Sequence, residues 1–115
     1  MRVLLVEDDA AVRETLRDLL LAADHIVTVA ADFAAGCSLL LTPQYDVIVT
    51  DLVLPDGNGL ELARLAHAQG AGAVVCTGHP DEHDRLAREG VGHLSKPFSA
   101  AALEHALAEA LARRG

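Results

Sequence analysis

The sequence predicts an α/β fold: one parallel five-stranded sheet with helices on both faces, a three-layer sandwich built from five strand–helix repeats. Two observations lead there. Short apolar runs alternate five times with longer segments of helical period. The runs are also nearly continuous in apolar residues, as strands covered on both faces require. A third observation bears on function. Four runs end in polar side chains: Val3–Val6 in Glu7-Asp8-Asp9, Val47–Thr50 in Asp51, Ala73–Cys76 in Thr77, and His93-Leu94-Ser95 in Lys96-Pro97. Parallel strands would deliver all of these to one edge of the sheet.

The elements follow in order. Residues 2–7 read as the first strand and 10–23 as the first helix, with Asp9 placed to cap it. In that helix Val12, Leu16, Leu19 and Leu20 share one face, and Arg13, Arg17 and Asp18 lie on the other. A second strand spans 25–30, and a second helix, 33–42, has Asp32 as its cap. The third strand, 45–50, runs into a turn-rich loop, Leu52 to Gly59, before a helix over 59–69. Gly70 and Gly72 punctuate the turn into a strand over 72–77, and Pro80 suits the first turn of a helix over 81–89. The last strand spans 92–95. Ser99 caps a final helix, 100–113, in which Leu103, Leu107 and Leu111 recur every four residues.

A length of 115 residues points to one domain, residues 1–115, and 51% hydrophobic content supplies a core that is mostly aliphatic, since only 3% is aromatic. A net charge of −8 opposes direct nucleic-acid binding, because such a surface repels phosphate backbones. No apolar run reaches the roughly 18 residues that cross a bilayer, so no membrane association is expected. Cys37 and Cys76 stand alone in apolar segments and read as free thiols, which fits a cytoplasmic protein. His25, His67, His83 and His105 are scattered and read as surface residues.

Strand order follows from the chemistry. In open parallel sheets a ligand sits beyond the carboxyl ends of the strands, where the order reverses. For Asp8 and Asp51 to share a ligand, strands one and three must be neighbours, which gives the flavodoxin-like order 2-1-3-4-5. Three successive acids after a buried strand repel one another. Capping accounts for Asp9; Glu7 and Asp8 are best explained by a hard divalent cation such as Mg2+. Lys96 supplies the opposite charge, and the Lys96-Pro97 bond is a candidate for cis geometry. Together these residues suit phosphoryl transfer, with Asp51 as nucleophile, a metal held by Asp8, Asp51 and a backbone carbonyl, Glu7 binding it through water, and Thr77 and Lys96 on the remaining oxygens.

Leu5-Val6-Glu7-Asp8-Asp9, Asp46–Asp51 with Leu54-Pro55-Asp56-Gly57, Thr77-Gly78 and Ser95-Lys96-Pro97-Phe98 resemble, in order and spacing, the receiver domain of two-component response regulators, chemotaxis-regulator-like, along the whole chain. That resemblance implies Asp51 as phosphoacceptor, Glu7 and Asp8 as the metal-binding acids with Mg2+ (or Mn2+), and the Val53 carbonyl as a further ligand. It implies Thr77 as the switch hydroxyl beside Gly78, and Lys96 as the phosphate-sensing cation. The implied donor is a phosphohistidine on a histidine kinase or phosphotransfer protein. The fourth helix, fifth strand and fifth helix would form the output face, which could support a homodimer.

Two departures stand out. His93 occupies the switch position, three residues before the lysine, where the family carries Tyr or Phe, and Gly78 replaces a more common Ala. Val53 and His79 take loop positions that flank the phosphoryl group in this family. The alternative reading is a phosphorylation-independent pseudo-receiver that docks a partner. A flavin or nucleotide carrier is disfavoured because the first loop is acidic where a phosphate cradle would be glycine-rich. A phosphate-ester hydrolase is disfavoured because Val53 stands where a second acid would be needed.

Overall fold

In a computed structural model, residues 1–78, 88, 91–95 and 99–113 are described. A parallel sheet is built from β1 (Arg2–Val6), β2 (Ile26–Ala30), β3 (Val47–Asp51), β6 (Gly72–Thr77) and β7 (Gly92–Ser95), in the order β2-β1-β3-β6-β7. This is the predicted 2-1-3-4-5 order. The numbering differs because a two-strand hairpin, β4 (Val53–Leu54) with β5 (Gly57–Asn58), intervenes after β3. That hairpin was not foreseen, since strands of two residues carry no periodic signal.

Side chains alternate across the sheet and fill two cores. Leu4, Val6, Ile48 and Val75 pack against α2 (Phe33–Leu40) and α3 (Gly59–Ala68), while Val3, Leu5, Val47, Val49 and Val74 pack against α1 (Ala10–Ala22) and α4 (Ala100–Ala112). Both faces of β1 and β3 are therefore covered, which is why their sequences read as unbroken apolar runs. The expected apolar faces hold: Leu16 and Leu20 of α1 and Leu103 and Leu107 of α4 are buried. At the edge of the sheet β2 leaves Ile26 63% exposed.

The three foreseen caps are in place. Asp9 accepts from the amides of Ala11 and Val12 at 3.0 and 3.1 Å, Asp32 from Ala35 at 2.8 Å, and Ser99 from Ala102 at 3.1 Å. Gly70 ends α3 with a φ of 84°, a conformation that favours glycine. The helix expected over 81–89 lies outside the described residues apart from Arg88, which is helical. No helix among the described residues is long and apolar enough to cross a membrane.

Among the histidines an expectation fails, while His83 lies outside the described residues. His25 is not a surface residue: its side chain is only 9% exposed and its Nε2 lies 3.2 Å from Oε1 of Glu104 on α4. The α1–β2 turn packs the ring against a helix 79 residues away in sequence, a contact that no local pattern announces. Cys76 is buried and Cys37 half-buried, and neither is in a disulfide.

Candidate functional site

The site assembles where β1 and β3 end side by side. The Glu7 amide donates to the Ala30 carbonyl at 3.1 Å, which extends the β1–β2 pairing one residue past the strand and turns the Glu7 side chain to a fully enclosed position, 1% exposed. Asp9 turns away to cap α1, and its own amide donates to Oε1 of Glu7 at 3.2 Å. The three consecutive acids thus divide their tasks. Glu7, Asp8 and Asp51 each bring a carboxylate oxygen into one group whose atoms lie within 4.8 Å of one another. Glu7 is buried, Asp51 half-buried and Asp8 exposed, so the group opens to solvent on one side.

Crowded carboxylate oxygens repel each other in water, and a hard divalent cation relieves that repulsion. The donor set is all oxygen and is open to solvent on one flank. It fits Mg2+ in kind.

The backbone around Asp51 is held closely. The Thr50 hydroxyl donates to the Asp51 carbonyl at 3.0 Å, the Leu52 amide donates to the Cys76 carbonyl at 2.9 Å, and the Gly59 amide donates to the Leu52 carbonyl at 2.8 Å. A Cβ on Gly59 would stand 1.9 Å from the Asp51 carbonyl oxygen, so the start of α3 and the end of β3 meet backbone to backbone. Asn58 caps α3 by accepting from the Leu60 amide at 2.8 Å.

Opposite, Asp56 at the hairpin tip accepts from the amides of Phe33 at 2.7 Å and Ala34 at 3.0 Å, which fastens the β4–β5 hairpin to the N-terminus of α2. The Phe33 amide above all, with help from that of Ala34, holds the Asp56 carboxyl below its ordinary pKa. The bound state is thus the ionised one. Its stabilisation is complete above the unfolded carboxylate pKa, about 4, and is lost as pH falls through the lower folded value. Thermal melts of wild type and Asp56→Asn should therefore differ most near neutral pH and converge below about pH 4; equal melting temperatures at pH 7 would refute this fastening.

Thr77 ends β6, one residue past the Asp51–Cys76 pairing, and is 2% exposed. Gly78 is exposed, with nothing within 4 Å of the place a Cβ would take. Val53, in β4 two residues after Asp51, is 64% exposed. The β6–β7 register, Val75 with His93 and Thr77 with Ser95, sets exposed His93 on the sheet face that carries Thr77. Lys96, Pro97 and His79 lie outside the described residues, and with them the bond proposed as cis.

A family model described as the response regulator receiver domain matches residues 3–108. The chain belongs to this family. It is a receiver domain of a two-component response regulator, a signalling module. Among curated relatives, the KDP operon transcriptional regulatory protein KdpE of Escherichia coli K12 is 36% identical over 115 residues, covering 96% of this chain and 51% of that protein. Response regulator MprA of Mycobacterium avium is 36% identical over 121 residues, covering 99% of this chain and 52% of that protein. The receiver thus spans about half the length of these relatives.

Two solved structures place the fold. A response regulator receiver protein from Sinorhizobium medicae superposes with a TM-score of 0.87 at 27% identity, covering 100% of this chain and 97% of the other. The receiver domain of a sensor histidine kinase from Pseudomonas aeruginosa PAO1 superposes with a TM-score of 0.78 at 26% identity, covering 96% and 97%. That second structure holds a magnesium ion coordinated in its active-site cleft.

The roles of Thr50, Asp56, Asn58, Gly59 and Arg13 are not apparent from the sequence, where Arg13 falls on the polar face of α1. The exception is Asn58, which ahead of apolar Leu60 is a readable cap signal. Asp56 acts across the fold on the amides of Phe33 and Ala34, while Thr50, Gly59 and Arg13 act on backbone carbonyls within eight residues, which no residue pattern marks.

Proposed function

We propose that this receiver accepts a phosphoryl group on Asp51 from a phosphohistidine, with Mg2+ or Mn2+ as its cofactor. The observation that carries this reading is the convergence of Glu7, Asp8 and Asp51 within 4.8 Å at one strand edge. The same convergence argues against a docking module indifferent to phosphorylation, which has no use for a buried glutamate beside two further acids. Asp8, Asp51 and the Val53 carbonyl would hold the cation, with Glu7 binding through water. A cation bound there offsets negative charge on the phosphoryl oxygens.

In the transfer an Asp51 carboxylate oxygen attacks phosphorus and the P–N bond to the donor imidazole breaks. The imidazole nitrogen leaves with the electron pair, and Asp51 becomes an acyl phosphate. The Asp51 backbone is already fixed by Thr50 and Gly59, so the carboxylate needs little reorganisation. Thr77, Gly78 and Lys96 would bind the transferred oxygens, and His93 would serve as switch residue on the Thr77 face. Slow autodephosphorylation would reset the domain.

The partner would be a histidine kinase or histidine phosphotransfer protein in the cytoplasm. The face formed by residues 81–113 would carry output or a homodimer. The acidic receiver itself would not touch nucleic acid; in a longer chain any such contact would fall to an attached effector, as the name of the transcriptional relative suggests.

Incubation with a radiolabelled phosphohistidine protein and Mg2+ should move label onto the receiver, in a form that hydroxylamine removes as it does acyl phosphates. Label that stays on the donor, or a hydroxylamine-resistant product, would refute phosphotransfer to an aspartate.

A further inference from the structure

Arg13 is the one arginine of α1 that does not behave as a surface residue. It sits one turn into the helix and is half-buried, whereas Arg17 on the same polar face is exposed. Its amide makes the first helical bond, to the Asp9 carbonyl at 2.8 Å. Its side chain runs back over the cap, where Nη1 donates to the Glu7 carbonyl at 2.9 Å and makes a longer contact, 3.4 Å, with the Asp8 carbonyl. Both carbonyls belong to residues of the acid group.

Glu7 is thereby fastened at three points: its amide on Ala30, its side-chain Oε1 on the Asp9 amide, and its carbonyl on Arg13. Asp8 has less. Its side chain is exposed, and its carbonyl is held by the same guanidinium. We propose that Arg13 is a positioning residue for the acid pair: by tying the Glu7 and Asp8 carbonyls to the first turn of α1, it sets the direction in which both carboxylates present themselves to a divalent cation. This rests on the metal-site reading above. A guanidinium suits the task because its planar fork donates in fixed directions and stays charged at every working pH.

Two effects of Arg13 on cation binding have opposite signs, and that makes the idea testable. A positive charge near the site repels Mg2+, so loss of charge alone would tighten binding. Loss of positioning would weaken it. Outer partners of metal ligands are typically worth 10- to 100-fold in affinity. Arg13 holds carbonyls and not the ligating oxygens, so a weakening of about tenfold, the lower end of that range, is expected.

The experiment is calorimetric titration of the 115-residue chain with MgCl2, for wild type, Arg13→Gln, Arg13→Ala and Arg13→Lys, with melting temperatures recorded without Mg2+. The proposal predicts an Mg2+ Kd about tenfold weaker in Arg13→Gln and Arg13→Ala, and an intermediate value in Arg13→Lys, which keeps the charge but not the fork. Arg13→Lys also keeps the test informative if the neutral variants do not fold. Three results would overturn it: tighter binding in the neutral variants, which would make Arg13 a charge effect only; a lowered melting temperature with an unchanged Kd in every variant, which would make it a helix anchor only; or no difference at all. Failure of wild type itself to bind Mg2+ saturably would instead remove the metal site, and the positioning role with it.

Discussion

Gly59→Ala is expected to destabilise the protein by about 3 kcal/mol, at the upper end of overpacking costs, and so to lower Tm by roughly 10–15 °C. The added Cβ would meet the Asp51 carbonyl oxygen at 1.9 Å, the Asp51 carbonyl carbon at 2.9 Å and the Thr50 hydroxyl at 3.0 Å. The first two are backbone atoms and cannot rotate aside. Neither partner can retreat easily: the Gly59 amide is bonded to Leu52, and β3 is a central strand paired on both sides. Any relief must move the peptide that carries Asp51, so the response to Mg2+ should fall as well. Gly78→Ala is the matching control, because nothing lies within 4 Å of its Cβ position, and it should stay within about 0.5 kcal/mol of wild type. Thermal melts of the two variants decide the matter. A Gly59→Ala protein melting within about 3 °C of wild type, under 1 kcal/mol by the same scaling, would show that the backbone contact is not the constraint described here.

Mg2+ should stabilise the folded receiver. A ligand that binds only the native state adds about 1.4 kcal/mol at roughly ten times its Kd and about 2.7 kcal/mol at a hundred times. For a domain of this size that is a rise of several degrees to more than ten. The effect should be larger than for an isolated pair of acids, because three carboxylates share the group and one of them, Glu7, is sealed from water. Asp8→Asn should remove most of the Mg2+-dependent rise. It should also raise the melting temperature without metal, since it deletes one of three mutually repelling charges. An equal Mg2+-dependent rise in wild type and Asp8→Asn would place the binding elsewhere.

The sequence made the strand ends legible because a central parallel strand has an unmistakable form: continuous apolar residues, then an abrupt polar one. Val3–Val6 before Glu7 and Val47–Thr50 before Asp51 are both of this kind, and the demand that their acids share a ligand set the strand order. The caps Asp9, Asp32 and Ser99 were legible because capping is local, decided within three residues. What stayed hidden depends on distance. Gly59 reads as one more turn glycine, yet its necessity comes from a strand end eight residues earlier. Asp56 reads as a turn acid, yet its partners are the amides of Phe33 and Ala34. Arg13 was assigned by helical phase to the solvent face, and a long side chain can leave that face by folding back over its own cap. His25 was misread because its partner, Glu104, is on the last helix, 79 residues away.

The function proposed for this receiver depends on Asp51, beside Glu7 and Asp8, being the phosphoacceptor. Intact-mass spectrometry after incubation with acetyl phosphate or phosphoramidate, with Mg2+ and again with Mg2+ chelated, tests it most directly on wild type and Asp51→Asn. Wild type should gain one phosphoryl group with Mg2+ and little or none once the metal is chelated, and Asp51→Asn should gain none. An adduct of equal yield on Asp51→Asn, or none on wild type, would contradict it.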